Sequence, residues 1–305
     1  MIRLYAIFLL NVLNGLAVLA QTNHKPTVHA GLKKNIHFNH LFVVVDDSTY
    51  TYLFDRLKLP QDFAWTSEQT QDAGSASWTG KYIMGTNNYL EIFKAGGLKG
   101  SKEGDCGLGF TTDKLGTIDL LRTYWAKTLD SVHVDHTTSN NNGKIDPWLT
   151  SVSIPNVDSP NITAWVYENS KEEMKYAGFT NQELTTEISY RQYTKHITAK
   201  LRNVPLDSVP DNKLFDKITS VSLNLSSKES SYLSRSLLDI GFTKKGNSFI
   251  KEDFQITYLL TDSDHFLLRE ISILLAAPVP RKTYSSQKIA LQVEGNRAKM
   301  SFKNK

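Results

Sequence analysis

The chain has 305 residues, 40% of them hydrophobic and 22% charged. It can bury a substantial core, which excludes a disordered protein, a collagen-like repeat and a multi-span membrane protein. Its single cysteine, Cys106, excludes a disulfide framework or a thiolate-rich zinc site within one chain. The net charge of +4 is too balanced for a nucleic-acid footprint.

Met1-Ile2-Arg3 gives a short positive start, and Ala6 to Ala20 is almost continuously apolar, ending in Val18-Leu19-Ala20. The run is too short to span a bilayer and no stop-transfer flank follows, so residues 1–20 read as a secretory signal cleaved after Ala20. The expected protein is exported, periplasmic or secreted, and keeps no stable membrane anchor. Residues 21–36 form a polar tail.

Asn39 to Asp46 is β-branched and apolar, a strand. Ser48 is the expected N-cap of a helix over Thr49 to Leu59. Trp65 to Asp72, Ser77 to Met84 and Tyr89 to Lys94 read as strands. The pattern then restarts. Cys106 to Thr112 is strand-like, Leu115 to Leu129 helical, and Ser131 to Thr137 and Trp148 to Ile154 are strands around a polar loop, Ser139 to Asp146. Ile162 to Glu168 closes the second round. The polar stretch Asn169 to Asp216 reads as helix plus linker.

A third round begins with the strand Ile218 to Leu225, followed by a helix over Ser227 to Ile240. Strands over Ser248 to Glu252, Phe254 to Thr261 and Arg269 to Leu275 follow. A break at Pro278 to Pro280 leads to a hairpin of Lys288 to Val293 and Ala298 to Phe302, turning at Glu294 to Arg297. His40 to Glu91 and Ser220 to Glu270 are near-equal intervals, which supports a repeat. A glutamate in an apolar setting, Glu91, Glu168 and Glu270, ends each round. The expected fold class is α+β, with repeated βαβββ modules. The paired modules cover 37–178 (37–99 and 100–178), a helical connection 179–214, and a third module with its C-terminal hairpin 215–305.

Several motifs read as structure. His133 and His136 point to opposite faces of a strand. Thr138 to Leu149 imitates a calcium loop but lacks carboxylates at the first and twelfth positions. Cys106 has neither a base nor a cause for a lowered pKa, and reads as a packing residue. Trp78, Tyr82, Tyr89 and Trp165 are candidates for an aromatic pocket lining a small-molecule site. No phosphate loop, dinucleotide fingerprint or Ser-His-Asp signature is present.

The βαβββ repeat, Asn39-His40-Leu41-Phe42 and the strand Tyr89-Leu90-Glu91-Ile92-Phe93 resemble the vicinal-oxygen-chelate superfamily of glyoxalases, extradiol dioxygenases and bleomycin-resistance proteins. More narrowly, Ser77-Trp78-Thr79-Gly80, Trp165-Val166-Tyr167-Glu168 and the ending Ala298-Lys299-Met300-Ser301-Phe302 resemble an exported family, the domain of unknown function numbered 5829. The resemblance implies a half-barrel of paired modules whose concave face holds a divalent metal, Zn, Ni, Mn or Fe. His40, Glu91 and Glu168 are the implied ligands. The fourth is missing, since the strand Cys106 to Phe110 offers only Cys106. Lyase, isomerase or dioxygenase-type chemistry follows if a metal binds. A metal-free binding or sequestering protein, or an envelope interaction protein docking through the third module, are the alternatives. No catalytic residue is assigned.

Overall fold

A computed structural model describes residues 28–53, 62–72, 77–129, 131–141, 144–156, 161–210, 213–261 and 266–303. The signal-peptide expectation, the polar residues 21–27 and the later part of the first predicted helix lie outside these. Among the described residues no helix is long and apolar enough to cross a membrane.

The chain runs α1 (Val28–Lys34), β1 (Ile36–Val45), α2 (Asp47–Thr51), β2 (Trp65–Asp72), β3 (Ser77–Met84), β4 (Tyr89–Lys94), β5 (Cys106–Thr112), α3 (Thr117–Thr128), β6 (His133–Asn141), β7 (Lys144–Ser153) and β8 (Ile162–Asn169). These strands form one curled sheet in the order β2-β3-β4-β1-β5-β8-β7-β6. Each module pairs its first and last strands in parallel, β1 with β4 and β5 with β8, and the modules join through the antiparallel pair β1–β5. After α4 (Lys171–Tyr176) and α5 (Tyr190–Arg202), the third round gives β9 (Phe215–Leu225), α6 (Ser227–Asp239), β10 (Thr243–Lys245), β11 (Ser248–Lys251), β12 (Phe254–Leu260), β13 (Leu268–Ser285) and β14 (Ile289–Phe302). Its six strands order as β10-β11-β12-β9-β13-β14.

Four local expectations are corrected. The cap of α2 is Asp46, not Ser48: its Oδ1 accepts from the Ser48 and Thr49 amides at 3.0 and 3.1 Å, and a carboxylate suits the positive helix terminus. β1 starts at Ile36, because Ile36 is fully buried and Phe38 stacks on Phe254 at 3.9 Å. The polar loop Ser139 to Asp146 is mostly hairpin, with Ser139 paired to Asp146 and Asn140 to Ile145. Cross-strand pairing there overrides poor intrinsic β-propensity. The C-terminal hairpin is β13–β14, turning at 286–288. β13 runs through Pro278 and Pro280, with register shifts on either side of Val279, and β14 runs through 294–297. Pairing of β13 with β9 ends at Leu275, so no ladder bond is needed on that side of the prolines.

One hydrophobic core joins both sheets, from Ile36, Leu41 and Val43 through Val221, Ile256 and Ile271. Lys251 rivets the third module to the first: its ammonium donates to the carbonyls of Lys33 (2.6 Å), Ile36 and Ile240 (2.8 Å). The segment read as linker has a small core of its own, Met174, Ala177, Phe179, Leu184 and Ile188. It is tied to the second module by the Ile188 amide on the Asp113 carbonyl at 2.6 Å.

Candidate functional site

The two faces of the eight-stranded sheet differ in kind. Leu41, Val43, Cys106, Leu108, Val166 and Ile92 face the shared core. His40, Phe42, Tyr89, Glu91 and Trp165 alternate with them on the concave face. A bulge at Asn39 sets this register. Phe38 pairs with Phe110 and His40 with Gly109, so Asn39 is the extra residue, and the parity of β1 flips there.

β5 supplies a floor without side chains. A Cβ at Gly107 would meet the Phe42 ring at 2.2 Å, and one at Gly109 would meet His40 Cε1 at 2.3 Å. Both rings therefore lie over bare backbone. The His40 ring stacks on Tyr89 (centroids 4.6 Å apart) and meets Trp165 edge-on at 5.1 Å. Its Nδ1 lies 2.8 Å from Asn39 Oδ1, which also accepts from the Tyr167 hydroxyl at 2.8 Å. An oxygen acceptor makes Nδ1 the protonated nitrogen and leaves the lone pair on Nε2. Burial pushes the imidazole down to about 3, so it is neutral.

Glu91 stands opposite Tyr82 in the β3–β4 ladder. Burial pushes its carboxyl up to about 8, against a smaller downward effect of the Tyr89 hydroxyl. The hydroxyls of Tyr82, Tyr89, Tyr167 and Tyr190 all lie in its field. Trp78 lies on the same face of β3 and bonds the Tyr82 hydroxyl. The four aromatics expected to line a pocket thus share the concave face with His40 and Glu91. Across this face lies α5. At its start Tyr190 stacks on Tyr89 at 5.6 Å, and at its end Arg202 sits 4.5 Å over the Trp65 ring.

Glu168 is elsewhere. It points to the other side of β8 and closes the N-terminus of α3, whose N-cap, Gly116, has no side chain to offer. Its carboxyl accepts from the Gly116 amide (2.7 Å), the Ile118 amide (3.1 Å) and the Thr112 hydroxyl (2.8 Å). Registers identify the residues that do match the first module. His40 pairs with Gly109 across the junction, and Tyr89 and Trp165 are their outer partners. Two residues further along, Glu91 is matched by Tyr167. Cys106 faces the core, fully buried.

The third module repeats the bulge. Ile273 pairs with Ile218 and Ser272 with Ser220, leaving Thr219 extra as Asn39 is in β1. Ser220 therefore stands where His40 stands, and Thr257, two residues beyond its partner Gln255, where Glu91 stands. Glu270 lies on β13, the counterpart of β5, and makes a half-exposed ion pair with Lys299 at 3.1 Å. It is not a last-strand glutamate.

Among the described residues, these positions give the donor set of the concave face. The places that pair with His40 and Glu91 across the junction hold a glycine and a tyrosine whose hydroxyl is already bonded to Asn39. One imidazole nitrogen and one carboxyl remain, which does not fit a Zn, Ni, Mn or Fe centre built from histidines and carboxylates. Among the described residues no three of His, Cys, Asp or Glu converge. Asn39, Gly109, Tyr167 and Tyr190 were not singled out by the sequence. The alternating Gly107 and Gly109 were the available signal, since in-strand glycines mark close approach.

A profile described as a family of unknown function (DUF5829) matches residues 38–302. None of the curated proteins matches the chain. A hypothetical protein from Staphylococcus aureus has a TM-score of 0.48 and 10% identity, covering 82% of this chain and 95% of that one. The 2,3-dioxygenase LapB from Pseudomonas sp. KL28 has a TM-score of 0.38 and 11% identity, covering 86% and 90%. A Mn(II)-bound glyoxalase from Novosphingobium aromaticivorans has a TM-score of 0.35 and 11% identity, covering 74% and 62%.

Proposed function

This chain belongs to the family of unknown function DUF5829, and on that premise we propose that it is an exported protein that binds a small organic molecule on the concave face of its eight-stranded sheet, without a divalent metal. The observation that carries this reading is the replacement of half a ligand set by Gly109 and Tyr167, with Glu91 left among tyrosine hydroxyls. A carboxyl held near 8 is mostly protonated at neutral pH, and so both donates and accepts. Phe42, Tyr89 and Trp165 supply stacking surface for a planar or apolar ring. The same raised carboxyl favours a second reading, proton transfer to the bound molecule, in which Glu91 is the acid.

Titration of the ¹⁵N-labelled chain with indole, phenol and nicotinamide, followed at the Trp165 indole N–H resonance, tests the binding reading. Saturable change at Trp165 that persists in chelator and is lost in Tyr89→Ala is expected. Stoichiometric binding of Zn²⁺, Ni²⁺, Mn²⁺ or Fe²⁺ that disappears in His40→Ala would overturn it, as would no saturable response to any probe. Export rests on the apolar run Ala6 to Ala20. Expressed in a secretion-competent bacterium, the protein should be recovered outside the cytoplasm with Gln21 at its N-terminus. Cytoplasmic protein retaining Met1 would reject that part.

A further inference from the structure

At the first turn of α5, where β5 and β8 end, lies a partly open cavity of about 30 Å³, bordered by Asn39, Thr111, Asp113, Tyr167, Glu168 and Tyr190 among others. Two of these residues carry buried polar atoms with no protein partner: Asn39 Nδ2, a donor, and Asp113 Oδ1, an acceptor. Their other oxygens are committed, Asn39 Oδ1 to Tyr167 and His40, Asp113 Oδ2 to His37 Nε2 at 3.1 Å. Asn39 is only 1% exposed. A buried polar atom left unbonded is costly. Two of opposite character at one cavity point to a guest that both donates and accepts.

We propose that this cavity is the subsite for a hydroxyl-bearing end of the ligand, a primary alcohol or a diol, a proposal that rests on reading the concave face as a ligand site. The guest's oxygen accepts from Asn39 Nδ2, and its O–H donates toward Asp113 Oδ1. A ketone or ester carbonyl satisfies only Asn39, and an ammonium only Asp113. A carboxylate meets Asp113 and Glu168 on the same lining, with Lys114 exposed at the rim. The volume holds about two waters, so a hydroxymethyl group enters while any ring stays outside, over Tyr89 and Tyr190.

The test is an NMR titration of the ¹⁵N-labelled full chain with glycerol, with acetone and acetate as comparisons. Glycerol should shift the Asn39 side-chain NH₂ resonances saturably in the millimolar range, while acetone and acetate should not saturate. Asp113→Asn, which keeps the volume and replaces the acceptor, should weaken glycerol by about 10-fold. Glycerol shifts that never saturate, or acetate binding as well as glycerol, would overturn the proposal. So would a glycerol-soaked crystal with only water on both atoms. Indole binding is read separately at Trp165, so a groove without affinity and a subsite without affinity give different results.

Discussion

His40 lies over Gly109 so closely that a Cβ there would stand 2.3 Å from its Cε1 and 2.6 Å from its Nε2. The ring cannot retreat, because Tyr89 stacks on it and Trp165 meets it edge-on. Gly109→Ala should therefore destabilise the fold by about 2 kcal/mol, as overpacking of a tight site does. Urea unfolding measures it. On a His40→Ala background the same substitution should cost little, and an equal cost in both backgrounds would show that the ring is not the obstacle.

Glu91 gives stability a pH dependence of defined sign. Its carboxyl is raised in the fold from 4.5 to about 8. The folded state binds the extra proton between those values, so the contribution is complete below 4.5 and is lost as pH rises through about 8. Glu91→Gln should remove this slope and gain relative stability at pH 8 compared with pH 5. A titration of the Glu91 carboxyl carbon by NMR with a midpoint near 4.5 would contradict this.

Glu168 closes the start of α3 with three hydrogen bonds. Glu168→Ala leaves two helix amides and a buried hydroxyl unpaired, and should cost about 2–3 kcal/mol. Circular dichroism and urea unfolding measure this.

Lys251 is held by three carbonyls, and burial lowers its ammonium to about 8 from 10.5. Between those values the unfolded chain binds the extra proton, so this contribution to stability rises with pH from about 8 to 10.5 and falls as pH drops through about 8. Lys251→Met should lose that slope. It should also destabilise the protein by about 2 kcal/mol near neutral pH, where the carbonyls lose their donor. A calorimetric melting curve unchanged by the substitution would exclude the rivet.

The modules were legible because strand signals are local. Trp65–Asp72, Ser77–Met84, Tyr89–Lys94 and Cys106–Thr112 occupy their expected bounds, since β-branched and aromatic runs between turn residues need no partner to be recognised. The placing of Ser220 against His40 agrees with the repeated bulge. The placing of Glu168 and Glu270 against Glu91 does not. A strand exposes alternate residues to opposite faces, and Tyr167-Glu168 reads equally well in either register until its neighbour is known. The parallel pairing with β5 puts Tyr167 on the concave side. For Glu270, the parallel partner of β9 is β12, and β13 is an antiparallel neighbour.

From sequence alone come the α+β class, the three rounds of βαβββ and the excluded disulfide and thiolate chemistry, each of which follows from periodicity or composition within a short stretch of chain. That His40 and Glu91 act together is implied by the family resemblance, and the β1–β4 pairing puts them on one face. Only the tertiary structure decided which residues stand opposite those two. It also decided that α5 crosses the concave face and that Asn39 and Asp113, each with one buried unpaired atom, border one cavity. Ladder register and the packing of distant segments are set by contacts between residues far apart in the chain, and no local pattern encodes those contacts.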